Sequence, residues 1–85
     1  MRYSVEFKPS ARKALGKLPD AARRRIIHAI EGLGDDPRPP GCVKLSGEDG
    51  FWRIRVGDYR VVYQIADRIL LVLVLRVADR KDVYR

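Results

Sequence analysis

The side chains that usually carry chemistry are scarce in this sequence. It has one cysteine, Cys42, and one histidine, His28, in 85 residues. A single cysteine excludes an intramolecular disulfide and fits a reducing compartment. His28 stands two positions from both Ile26 and Ile30, so a helix would turn it away from their apolar stripe. Nothing around it has the spacing of a metal ligand set or a nucleophile triad. The longest apolar run, residues 69–75, is far too short to cross a bilayer. The opening MRYSVEFKPS lacks the apolar centre of a secretion signal. We therefore expect a soluble cytoplasmic protein that uses no membrane, metal or cofactor.

Acidic charge is also in short supply. Eleven Asp and Glu face eighteen Lys and Arg, for a net charge of +7. So strong an excess points to an anionic partner: nucleic acid, an acidic protein or a membrane surface. The length implies one domain, residues 1–85.

What is present is well patterned. Tyr3, Val5 and Phe7 alternate with polar residues, as in a half-buried strand. Pro9 suits the first turn of a helix, and Ala11, Ala14, Leu15 and Leu18 form its apolar stripe. Pro19-Asp20 restarts the helix, with Ala22, Ile26, Ala29, Ile30 and Leu33 as the second stripe and Gly34 as its stop. Residues 34–50 are rich in proline and glycine, have no period, and read as one long loop.

After that loop the period becomes two. Trp52, Ile54 and Val56 alternate with Arg53 and Arg55; Tyr59, Val61 and Tyr63 alternate with Arg60 and Val62. Gly57-Asp58 between them predicts a two-residue type II′ hairpin turn. Residues 69–77, apolar nearly throughout, predict a strand inside the sheet, covered on both faces and flanked by the opening strand. The order predicts an α+β fold: a strand, two helices, then three antiparallel strands. Two helices would pack on one face of a four-stranded, mostly antiparallel sheet.

The predicted hairpin register places Arg53, Arg55 and Arg60 on the face away from the core, with Arg55 directly opposite Arg60. Like charges so placed cost a few tenths to ~1 kcal/mol. A solvated face of long charged side chains is the plainer use for them. Holding a polyanion is the other, since the guanidinium fork matches phosphate oxygens. The tail LRVADRKDVYR adds Arg76, Arg80, Lys81 and Arg85 around Tyr84. A phenol among cations has a lowered pKa and could take a proton from a hydroxyl.

GDYRVVYQI, the apolar strand after it and the closing LRVADRKDVYR resemble the RelE branch of the RelE/ParE toxin superfamily. EFKPSARKALGKLP and DDPRPPGCVKLSG extend the likeness over essentially the whole chain. The resemblance implies a RelE-like toxin held by a cognate antitoxin in a hetero-oligomer. It also implies a ribosome-dependent mRNA endonuclease that cuts without metal through the RNA 2′-hydroxyl. By position it makes Arg60, Arg80 and Tyr84 catalytic and Arg53 and Arg55 RNA contacts; Lys44, Arg76 and Lys81 are expected as further RNA contacts. Asp79, where many of the family carry histidine, would be a possible helper. Two alternatives share the scaffold: a ParE-like poison of DNA gyrase, and a catalytically weak RNA-binding relative.

Overall fold

The computed structural model describes residues 2–45 and 50–79. Strand β1 (Ser4–Phe7) leads into helices α1 (Pro9–Gly16) and α2 (Asp20–Asp35). Four strands follow: β2 (Val43–Lys44), β3 (Phe51–Val56), β4 (Tyr59–Ala66) and β5 (Leu71–Asp79). The sheet order is β1-β5-β4-β3-β2. β1 runs parallel to β5, and every other pair is antiparallel.

The α+β class and the helix-covered sheet are as the periodicities predict; the strand count is five rather than four. β2 lies within the stretch read as loop. Two residues are too few to show a period, and only pairing with Arg53 and Trp52 makes them a strand.

Each helix buries its expected stripe. Ala11 and Leu15 of α1 join Ile26, Ile30 and Leu33 of α2 against Ile54, Val61, Tyr63, Ile65, Val72, Val74 and Val77 of the sheet. Leu18, just past α1, packs on the same core. His28 is exposed, as its spacing requires. Gly34 is not the stop it was expected to be, because α2 runs on to Asp35. Its role is close approach: the Tyr3 amide donates to the Gly34 carbonyl at 2.7 Å. A Cβ at Gly34 would stand 3.1 Å from the Tyr3 carbonyl oxygen.

The hairpin has the predicted register, with Trp52 opposite Tyr63, Ile54 opposite Val61 and Arg55 opposite Arg60. Gly57 has φ +60° while Asp58 stays at negative φ. Positive φ at the first turn residue alone is the type II′ pattern.

β5 lies inside the sheet as expected, but the expectation of cover on both faces fails for the described residues. The helices bury Val72, Val74 and Val77, whereas Leu71, Leu73 and Leu75 are only half-buried. A bulge interrupts the β4–β5 ladder. Tyr63 pairs with Val74 but Val62 with Arg76, leaving Leu75 as the extra residue. Strict alternation from Val72 and Val74 would drive Arg76 into the core. The bulge shifts the phase, so that Val77 turns inward and Arg76 outward.

At the far end of the sheet a polar clasp holds the loop after α2. The Tyr3 hydroxyl donates to Asp67 Oδ1 at 2.5 Å, and Arg38 donates to both Asp67 carboxylate oxygens at 3.3 and 2.9 Å. Arg38 also lies 5.2 Å over the Trp52 ring, a cation–π contact. The buried Tyr63 hydroxyl donates to the Pro37 carbonyl at 2.8 Å.

Candidate nucleic-acid interface

Three arginines from three strands meet on the face that the helices leave open. Arg53 on β3 pairs with Val62 on β4, and Val62 pairs with Arg76 on β5. The next row runs Arg55, Arg60, Ala78. Neighbouring strands lie about 4.8 Å apart, so the backbones of Arg53 and Arg76 stand roughly 10 Å apart across Val62.

Arg53, Arg60 and Arg76 line one shallow groove of about 180 Å³, with Leu45, Val62 and Ala78 as its apolar lining. Arg53 and Arg60 are half-buried. Arg76 is exposed at the rim. Among the described residues, neither Arg53 nor Arg76 forms an ion pair. Three ion pairs among the described residues lie away from the groove: Arg2 with Asp35, Arg23 with Asp20 and Arg38 with Asp67.

Not every sequence-predicted residue joins this groove. Arg55 shares the face but is exposed, and its Nε donates to the Gly57 carbonyl at 3.4 Å, toward the hairpin turn. Lys44 pairs with Trp52, which puts it on the helix side of the sheet rather than among the arginines. The expected helper Asp79 pairs with Tyr59 and shares that residue's helix-side face. Arg80, Lys81 and Tyr84 lie outside the described residues.

Leu45 was missed altogether. Its signal was alternation with Val43 and Lys44, too short to notice without the partner strand. Arg76 was counted only as part of a basic tail. The bulge that seats it beside Arg60 has no local sequence mark.

The clasp at the opposite end is the electrostatically perturbed part of the molecule. Hydrogen bonding from Arg38, then from Tyr3, holds the Asp67 carboxyl below its ordinary value. The same Asp67 contact raises the Tyr3 phenol and the Arg38 guanidinium. Burial raises the Tyr63 phenol. These groups tie loop to sheet, and none lines the arginine groove.

Comparison with known proteins agrees with this architecture. The family model described as the ParE toxin of the type II toxin-antitoxin system parDE matches residues 5–84. Toxin RelG of Mycobacterium tuberculosis is 35% identical over 86 residues, spanning 100% of this chain and 99% of the relative. The mRNA interferase toxin RelE of Escherichia coli K12 is 28% identical over 94 residues, spanning 99% of this chain and 92% of the relative. Among solved structures, RelE in the archaeal RelE-RelB complex from Pyrococcus horikoshii superposes with a TM-score of 0.84 at 32% identity. That match covers 94% of this chain and 97% of the other.

Proposed function

The chain belongs to the RelE branch of the RelE/ParE toxins of type II toxin-antitoxin systems, and from that premise we propose that it is an endonuclease that cuts messenger RNA on the translating ribosome. The observation that carries the reading is the groove shared by Arg53, Arg60 and Arg76 on the sheet face opposite the two helices. The interferase name of the Escherichia coli relative supports it.

In the proposed reaction the RNA 2′-oxygen attacks the adjacent phosphorus, and the bond from phosphorus to the 5′-oxygen breaks. The products are a cyclic phosphate and a free 5′-hydroxyl. Phosphorus gathers negative charge on the way, so pre-placed guanidiniums stabilise the transition state more than the substrate. Arg60 is assigned that task, with Arg53, Arg55 and Arg76 holding flanking phosphates. Arginine keeps its proton near neutral pH and cannot act as the base. Tyr84 is the group assigned to accept the 2′-hydroxyl proton, Arg80 offsets charge on the departing oxygen, and Lys81 adds a backbone contact. Protonation of that oxygen from water completes the balance. With the substrate's own hydroxyl as nucleophile, the scheme calls for no metal-bound water, and it restricts cutting to RNA.

The proposed partner is a cognate antitoxin, as in the RelE-RelB complexes that this fold resembles. It would cover the basic face and silence the toxin in the cytoplasm.

A gyrase poison is the second reading, favoured by the ParE description of the matching family model. One experiment separates the two. Purified protein is added to a translation reaction and, separately, to gyrase with relaxed plasmid. We expect ribosome-dependent cuts with cyclic-phosphate and 5′-hydroxyl ends, and unchanged supercoiling. Intact messages with blocked supercoiling would replace the endonuclease by the poison; intact messages with normal supercoiling would leave a weak RNA-binding relative.

A further inference from the structure

We propose that the RNA strand continues from the arginine groove across the open edge of β5 into a second groove at the start of α1, where Lys8 and Ser10 hold its backbone. This rests on the reading of the protein as an RNA-cutting toxin. β1 pairs with β5 only through residues 71–74, and the Lys8 amide, donating to the Val74 carbonyl at 2.8 Å, closes that ladder. β5 runs on to Asp79, and among the described residues no strand flanks its outer side there. A longer β1 would fill that space. A groove of about 380 Å³ is there instead, lined by Lys8, Ser10, Ala14, Leu75 and Arg76 with Ala11 and Val77 behind them.

Continuity and charge identify the occupant. Arg76 lines both grooves, so the two meet at its side chain. The bulge at Leu75 bends β5 at that seam. Among the described residues no carboxylate lines either groove, and α1 has no acidic residue in its first turn. Lys8 occupies the cap position without a side-chain cap bond. Pro9 has no amide hydrogen, and the amides of Ala11 and Arg12 both donate to the Lys8 carbonyl, at 2.9 and 3.1 Å. Ser10 stands in the first turn of α1, where backbone amides have no intrahelical acceptor, at the positive end of a helix. An ammonium, a guanidinium and a serine along one channel suit the repeated charge of a phosphate backbone.

The test uses full-length protein and 2′-O-methyl RNA, which lacks the attacking hydroxyl and stays uncut. Affinities are measured for a trinucleotide and for a strand of about eight nucleotides, at several salt concentrations. The wild type should bind the longer strand more tightly. Lys8→Gln should lower the long-to-short affinity ratio about fivefold, and the salt slope for the long strand by about 0.7. Ser10→Ala should lower the ratio by less while leaving net charge intact. Because Lys8 and Ser10 are exposed, both variants should keep the wild-type melting temperature. A wild type that gains nothing from the longer strand, or a Lys8→Gln protein that keeps the whole gain, overturns the proposal and returns the groove to a protein partner. A wild type that leaves ribosome-bound messages uncut overturns the underlying toxin reading as well.

Discussion

Arg55 and Arg60 stand directly opposite each other on β3 and β4, two like charges one strand spacing apart. The hairpin turn leaves no other pairing, and like charges placed opposite in a sheet are expected to cost it a few tenths to ~1 kcal/mol. The proposed use of the pair is to hold negative charge brought from outside, and the energetic consequences can be measured.

Relieving the repulsion should stabilise the fold while weakening function. Arg55→Thr puts a β-favouring neutral side chain opposite Arg60, and the unfolding free energy should rise by a few tenths to about 1 kcal/mol. RNA affinity should fall in the same protein. Denaturant titration beside a binding isotherm reads both, and a drop in stability would contradict the argument.

Arg60→Ala removes the guanidinium assigned to the transition state. Its absence should slow single-turnover cleavage on programmed ribosomes by roughly 10²-fold or more, as for the loss of one pre-placed donor. Arg76→Ala, at the rim, should cost nearer tenfold and act mainly on binding. Circular dichroism should show both proteins folded, and full growth arrest by either would remove that residue from its assigned role.

The clasp at the other end of the sheet should make stability depend on acid. Asp67 has a lowered carboxyl pKa, so its contribution is present above the ordinary value of 3.8 and is lost as pH falls through the lower folded value. Asp67→Asn should therefore melt below the wild type at neutral pH, with the gap closing only beneath pH 3.8. A gap that persists unchanged into strong acid would show that the carboxylate charge is not what holds Arg38 and Tyr3.

Tyr63→Phe tests the anchor of the loop after α2. It leaves the Pro37 carbonyl without its buried donor, which should cost about 1–2 kcal/mol. The groove arginines should be unaffected, because the loss lies on the helix side of the sheet. Unchanged stability in this variant would mean that water replaces the phenol.

The features legible in the sequence are those set by local geometry. Alternation at residues 51–56 and 59–66 determines which side chains share a face. A glycine-first two-residue turn then leaves one register, so Arg53, Arg55 and Arg60 were bound to emerge together. Both helix stripes follow from period 3.6 in the same way. Contacts between distant segments were decided by the tertiary structure alone. β2 exists only because β3 lies beside it, and Gly34 is required only because Tyr3 crosses there. Lys44 and Asp79 face the helix side because their partners, Trp52 and Tyr59, do. Arg76 reaches the groove through one extra residue in β5, a phase shift that the surrounding run of leucine and valine does not betray. Periodicity is a property of a few consecutive residues, whereas bulges, edges and grooves depend on what the rest of the chain packs against them.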